Sequence, residues 1–367
     1  MTKTNAQNER IKRAYCDYLR EAMGRDEATI DRAMASIARF EFCTKARDFK
    51  RFHREQAKAF KHTLAGALNA RTGERLSKST VLATVRDLRA FFLWLAREPG
   101  FRSHVDYADA DYFTLSDKDV AVARARRDRE VPSLEQCRRA LAAMPADTVL
   151  ARRDRALFAL ALVTAARISA LASFRLCHVN IAGGYVDQDA REVRTKGAKT
   201  FRTFFMPVDD HAASIVAHWV SELTADHLWG PADPLFPKSQ MGLDATGSFT
   251  PVGITREPWA SGDRARAIIQ RAFTTISLPK YHPHSIRHAL IRHAMAQDFS
   301  PEAMKAWSQN LGHTDVLTTF LSYGQVPTHR QGALIRAESA AGSENNGFDD
   351  SALLAALTAR LSRKAAG

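Results

Sequence analysis

Arginines, lysines, histidines and a tyrosine beyond residue 160 are residue types suited to moving a phosphoryl group. They fall in four short segments: Thr164-Ala-Ala-Arg167-Ile-Ser-Ala-Leu171, Arg194-Thr-Lys196-Gly-Ala-Lys199, His284-Ser-Ile-Arg287-His288, and Leu311-Gly-His313 followed by Ser322-Tyr323-Gly324. A phosphodiester under attack gathers negative charge on its non-bridging oxygens, and fixed guanidinium groups stabilise that charge through paired hydrogen bonds. Arg167 and Arg287 are the candidates. A tyrosine hydroxyl has an unperturbed pKa of about 10, so it needs cations or a base beside it before it can attack at neutral pH. A departing 5′-oxygen must collect a proton, which a mobile lysine on a hairpin tip is able to supply. Taken singly, each residue also has a structural reading: Arg167 as an ion-pair partner, Lys196 as an ordinary turn lysine, His313 as a helix-terminus residue, Tyr323 as a half-buried aromatic. His282, His284, His288 and His293 crowd one segment, and His284 with His288 has the spacing of a zinc pair. No glutamate follows His284 as an H-E-x-x-H site demands and no cysteine lies near, so no metal site is expected.

The elements that must position these residues are mostly helices. From Ser79, the residues Val81, Val85, Leu88, Phe92 and Leu95 recur at three- and four-residue spacing, the stripe of an amphipathic helix that ends before Pro99-Gly100. Ile30, Met34 and Ile37 make a similar stripe. Between the two, Phe60, Leu64 and Leu68 face a core while Arg54, Lys58 and Lys61 line another side of one helix, a face suited to tracking phosphates or simply to solvation. Residues 103–131 hold few large apolar side chains and end in a charged run before Val131-Pro132, so the linker is placed at 121–131. Ser133 is the expected cap of the first helix beyond it. Residues 154–172 read as a buried helix that is apolar nearly all round, with Arg167 close on it as a charge in need of a partner. Short β-prone runs follow at 179–181, 185–186, 192–194 and 201–208, a small antiparallel sheet with Lys196 near a hairpin tip. Helices resume at 211–223 and 263–277, separated by a Pro- and Gly-rich stretch. Shorter helices are expected at about 284–296, 301–311 and 315–322, with Ser300-Pro301 opening the second and Gly312 closing it. Residues 339–350 read as a flexible connector to a last short helix bearing Leu353, Leu357 and Leu361 on one face.

The order and spacing of the four chemical segments resemble the catalytic domain of the tyrosine recombinase and phage integrase family. There an arginine closes a buried helix, a lysine sits in a β-hairpin, an H-x-x-R pair opens a later helix, and an L-G-H segment precedes a nucleophilic tyrosine. The resemblance covers residues 131–337 strongly and the helical amino-terminal part, as a core-binding domain, more loosely. It implies a mainly α fold with a small antiparallel sheet (α+β), divided into a helical DNA-binding domain (1–120), the linker, a catalytic domain (132–338), and a connector with a carboxy-terminal helix (339–367) that contacts a neighbouring protomer. It implies Tyr323 as nucleophile, forming a 3′-phosphotyrosine, with Arg167, Arg287, His284 and His313 around the scissile phosphate and Lys196, in preference to Lys199, as general acid. The implied partners are double-stranded recombination sites and further copies of the chain, a dimer on one site and a tetramer through a Holliday junction. No cofactor is implied. Arg54, Lys58, Lys61, Lys78, Arg86, Arg89 and Lys199 are the expected DNA contacts. Two departures from the family pattern bear on activity: Ala170 stands where an acid is usual three residues after the first arginine, and the interval from His313 to Tyr323 is one residue longer than usual. Two readings from other classes stay open, an accessory DNA-binding protein with impaired catalysis and a DNA-relaxing topoisomerase.

Composition agrees with a polyanionic partner. Lysine and arginine number 53 against 40 acids, a net charge of +13, in a chain of 367 residues that is 45% hydrophobic. Such a balance suits nucleic acid without proving it. The length makes two compact domains the default. No apolar run is long enough to span a bilayer, and the segment at the amino terminus lacks a secretory core, so a cytoplasmic protein is expected. The four cysteines, Cys16, Cys43, Cys137 and Cys177, are scattered, and are read as reduced thiols.

Overall fold

The computed structural model describes residues 4–70, 72–125, 130–243, 246–297 and 299–313. The chain divides into two compact units, residues 1–127 and 128–367.

The first unit is helical: α1 (Ala6–Asp17), α2 (Glu27–Cys43), α3 (Arg54–Gly66), α4 (Lys78–Leu95), α5 (Tyr107–Ala110) and α6 (Asp117–Arg124). Helix α4 begins where Ser77 caps the amide of Thr80, and its stripe is buried from Val81 to Leu95. Phe92 at its centre is ringed by Phe40, Phe52, Phe91 and Phe113 at centroid separations of 5.6, 4.4, 5.4 and 4.8 Å. Ring edges against ring faces add to the burial of their area. The stripe of α3 ends sooner than its spacing suggests. Phe60 and Leu64 are buried, but Leu68 lies beyond the helix and is exposed, its backbone bridging to Arg75. The segment after residue 103 is more structured than its composition implies, because Val105, Ala110 and Phe113 enter the core and α6 takes up residues 121–124 of the expected linker.

The second unit opens with α7 (Leu134–Ala142), whose cap Ser133 and third residue Gln136 hydrogen-bond reciprocally. Helix α8 (Val149–Thr164) runs through the core with Leu157, Phe158, Leu160, Leu162 and Val163 buried. It is not apolar all round. Arg153 is fully buried, paired with Asp154 at 2.8 Å and donating to Pro237 O and Ser239 Oγ, while Arg271 reaches the other Asp154 oxygen at 3.0 Å. Nor does the helix continue through 172. It stops at Ala165, which takes left-handed backbone angles (φ 51°), and a separate turn of helix, α9 (Ile168–Leu171), follows.

Strands β1 (Val179–Asn180), β2 (Tyr185–Gln188) and β3 (Phe201–Phe204) form an antiparallel sheet in that order, with Tyr185 opposite Phe204 and Gln188 opposite Phe201. Residues 192–194 are not a strand. They belong to the long connection between β2 and β3, pinned by Arg194, whose guanidinium donates to the carbonyls of Ala172, Trp259 and Ala260. Helix α10 (Asp210–Ser221) leads to a second antiparallel pair, β4 (Pro237–Leu243) and β5 (Phe249–Pro258), inside the stretch whose prolines and glycines read as irregular. Register shifts along this ribbon break the two-residue alternation that would have marked it. Helices α11 (Asp263–Thr275), α12 (His284–Met295) and α13 (Pro301–Asn310) complete the unit, with Ser300 capping the last and Gly312 beyond it at φ 71°. The expected helix at 315–322, Tyr323, the connector and the carboxy-terminal helix lie outside the described residues.

Candidate active site

The three ends that matter converge: the carboxyl end of α8, the amino end of α12 and the L-G-H turn after α13. Arg287, on the first turn of α12, is the hinge of the arrangement and is 4% exposed. Its Nη1 donates to Ala165 O at 3.1 Å, and its Nη2 donates to Leu311 O and to His313 Nε2, the last at 3.0 Å. The left-handed turn at Ala165, costly for a residue with a Cβ, turns that carbonyl toward the guanidinium. Arginine has no acceptor, so His313 Nε2 must carry the lone pair and Nδ1 the proton. His313 is 8% exposed and its pKa is pushed down to about 4, by burial first and then by the charges of Arg287, Arg167 and Lys199. His284 is also pushed down to about 4. Desolvation of a ring whose outer face still meets water comes first, followed by His288, Arg287, Arg167 and His282. Both rings are therefore neutral at pH 7.

Arg167 caps the amino end of α9 from an extended conformation. It is half-buried and, among the described residues, has no hydrogen-bond or ion-pair partner. Among the described residues the partner its position seemed to require is absent, and the side chain is only partly buried. Ala170, where the family has an acid, is fully buried and offers nothing to orient it. Its charge still acts on both His284 and His313, as that of Arg287 does.

Lys196 and Lys199 are exposed on the connection between β2 and β3, around Gly197 (φ 72°) and Ala198 (φ 49°). Lys199 is the lysine whose charge bears on His313. The sheet carrying this loop is bonded to the end of α13. Asn310 accepts from the Phe204 amide at 2.7 Å and donates to the Phe204 carbonyl at 2.9 Å, and Thr203 Oγ1 donates to Asn310 O at 3.0 Å. Neither Asn310 nor Arg194 was marked as a site residue by its sequence, since each works by reaching backbone atoms distant along the chain.

The expected DNA-facing cations of the first unit are mostly engaged by the chain's own groups. Arg54 pairs with Asp109 at 3.1 Å and lies over the Tyr112 ring, Lys58 pairs with Glu55, Lys78 with Asp119 and Arg89 with Asp111, while Lys61 donates to Thr114 O. Arg86 is exposed. Exposed pairs of this kind are worth about 0–1 kcal/mol, so a phosphate can displace the acid at little cost.

His284 and His288 stand edge to face with centroids 5.1 Å apart. A different trio, Cys177, His178 and Glu192, brings ligand atoms within 4.8 Å of one another. There His178 Nδ1 accepts the Arg175 amide at 2.9 Å, so Nε2 carries the proton and donates to Glu192 at 2.8 Å. One ring nitrogen holds the Arg175 backbone and the other Glu192 of the β2–β3 connection, which is a structural role.

Two arginines and two neutral histidines thus act on one another, beside a lysine-bearing loop, within a helical unit carrying a three-stranded sheet. No family model matches the chain. Among curated proteins it is similar to the tyrosine recombinase XerC of Pseudomonas fluorescens, 29% identical over 220 residues that cover 59% of this chain and 62% of the relative. It is also similar to that of Xylella fastidiosa (strain 9a5c), 26% identical over 257 residues, 69% of this chain and 71% of the relative. Among solved structures it shares the fold of the Tn1549 transposon integrase in complex with transposon right end DNA, with a TM-score of 0.55 and 16% identity over 89% of this chain and 98% of that one. The lambda integrase (75-356) dimer bound to a COC′ core site gives 0.54 and 14% over 85% and 93%. The chain spans about 62% of the length of the first of these relatives, and with the solved structures it shares the fold. Among the described residues, no helix is long and apolar enough to cross a membrane.

Proposed function

We propose that this chain is a site-specific DNA recombinase that cuts and rejoins strands through Tyr323, acting on double-stranded recombination sites in the cytoplasm, as a dimer on one site and a tetramer in the paired complex. The observation that carries the reading is the Arg287–His313 contact at 3.0 Å, with Ala165 O and the Arg167 charge beside it. Three of the five N–H groups of Arg287 are spent on Ala165 O, Leu311 O and His313 Nε2. For Nη2 to hold a phosphate oxygen, the oxygen must take the place of one of its two acceptors, and His313 Nε2 is the one on a side chain. The displaced imidazole keeps Nδ1–H as a donor to the same phosphate. Arg167 reaches solvent and needs no such exchange.

In the first step the tyrosine oxygen bonds to phosphorus and the P–O5′ bond breaks. The tyrosine proton leaves to a base, assigned by its place in the motif to His284, and the 5′-oxygen takes a proton from a lysine ammonium, assigned in the same way to Lys196. The ester keeps the bond energy, so the reverse attack by a partner strand's 5′-hydroxyl needs no nucleotide or cofactor. The division into two domains, a linker and a connector with a carboxy-terminal helix between protomers belongs to the same reading, and the cut between compact units at residue 127 supports the two domains.

The test is covalent trapping on a nicked suicide substrate. Wild-type protein should form an adduct and Tyr323→Phe should form none while binding DNA nearly as well, because only a hydroxyl is lost. An unchanged adduct yield in the variant removes Tyr323 as nucleophile, and DNA binding without any wild-type adduct selects the accessory-protein reading. Relaxation of supercoiled DNA without paired sites would select the topoisomerase.

A further inference from the structure

We propose that Asn310 is a positioning residue, which clasps strand β3 to the L-G-H turn and so fixes where the lysine-bearing loop stands relative to the phosphate site. The inference rests on the recombinase reading above and deepens it.

Asn310 is the last residue of α13, three positions before His313. Its side-chain amide spans both backbone polar groups of Phe204, accepting at 2.7 Å and donating at 2.9 Å, as a neighbouring strand would. Its carbonyl accepts from Thr203 Oγ1 at 3.0 Å, and that hydroxyl in turn accepts from Gln188 Nε2 on β2 at 2.8 Å. Thr203 and Gln188 are 1% and 4% exposed, so the bond between them is sheltered from water, while the two bonds of Asn310 to Phe204 lie at the surface. One residue past Leu311, Gly312 lies against the Phe201 ring so closely that a Cβ there would come within 2.6 Å of it. Strand β3 is therefore held at both its ends, Phe201 and Phe204, to the two residues flanking Leu311. The amino-terminal root of the same loop is held by Arg194 on three carbonyls. Only residues 195–200, with Lys196 and Lys199 among them, span the gap between these anchors.

The consequence is chemical. A general acid speeds bond breaking only when it stands within hydrogen-bond reach of the leaving oxygen, and a displacement of 1 Å can cost about a hundredfold. His313 and the lysines lie more than a hundred residues apart in sequence, and Asn310 makes them parts of one body. Losing the amide leaves the lysines and histidines intact but frees the strand edge, so the defect belongs to proton delivery rather than to phosphate binding.

The test compares Asn310→Ala with wild-type protein on an ordinary suicide substrate and on one whose scissile 5′-oxygen is replaced by sulfur, which leaves without protonation. Asn310→Ala should cleave the ordinary substrate at least tenfold more slowly, cleave the sulfur substrate within about twofold of wild type, and bind DNA within about twofold. Thr203→Val, which removes the other bond across the clasp, should show the same rescue in milder form. Equal slowing on both substrates, or no slowing on either, overturns the proposal. A lower unfolding temperature alone does not produce substrate-selective rescue, so the comparison separates positioning from general loss of structure. Absence of any adduct with wild-type protein is the separate failure of the recombinase reading.

Discussion

Replacing Arg287 by methionine keeps the stem of the side chain and removes its five donors, and the structure allows the outcome to be worked through. Ala165 O, Leu311 O and His313 Nε2 each lose a charge-assisted bond in a site that is 4% exposed. Leaving a buried acceptor unpaired costs about 1–3 kcal/mol, so the two carbonyls alone account for roughly 2–6 kcal/mol. Removing a buried charge offsets part of that loss. The net expectation is a loss of about 2–3 kcal/mol, a fall of roughly 5–10 °C in the unfolding temperature of a unit this size. The same change acts on His313. Its pKa, now about 4, is depressed by burial first and by Arg287 second, so in the variant it should rise part of the way toward 6.5 and no further. Strand cleavage should fall by about 10²–10³, the usual cost of one preorganised donor. Thermal unfolding, an NMR titration of the His313 ring and a single-turnover cleavage assay read the three effects on one protein. Unfolding within 1 °C of wild type together with an unmoved His313 would refute the central role given to this guanidinium, whatever happened to cleavage.

Three further outcomes follow from the same geometry. Because His313 titrates near 4 in the folded chain and near 6.5 unfolded, the unfolded state binds more protons between those values, so stability should be intact above about pH 6.5 and fall as pH drops toward 4, by at most roughly 3 kcal/mol for this residue. His284 acts in the same direction but with less weight, being partly solvated; a melting temperature that stays level across pH 4–6.5 would contradict the neutral assignment of both rings. Lys196→Ala should be rescued by a sulfur leaving group whereas Lys199→Ala should not, and the opposite pattern would give the proton to the lysine whose charge already reaches His313. Gly312→Ala should destabilise the second unit by about 1–3 kcal/mol in chemical denaturation, since it puts a Cβ into the Phe201 ring on a backbone at φ 71°, and a neutral result would mean that the turn can relax away from β3.

Helix positions and the segments that carry the candidate residues were legible in the sequence, because each rests on a local signal. The stripe of α4, the cap at Ser133, the Ser300-Pro301 start of α13 and the H-x-x-R pair need no more than a dozen neighbouring residues to express themselves. The motif order likewise pointed to Arg167, Arg287, His284 and His313 before any fold was known. What the tertiary structure alone decided are the relations between distant segments. Which carbonyls Arg287 satisfies, that Arg167 stands without a partner among the described residues, and that His313 is neutral with its proton on Nδ1 all follow from three chain ends meeting in a space with little water. Burial explains the misjudged places as well. The buried helix starts earlier than its apolar run and takes in Arg153, held by Asp154, Pro237 and Ser239, Val105 and Phe113 draw the segment after residue 103 into a core, and the ribbon of β4 and β5 hides behind its register shifts. A sequence displays periodicity along one chain. Hydrogen bonds such as those of Asn310 to Phe204, 106 residues away, have no period, and only the folded molecule brings their two ends together.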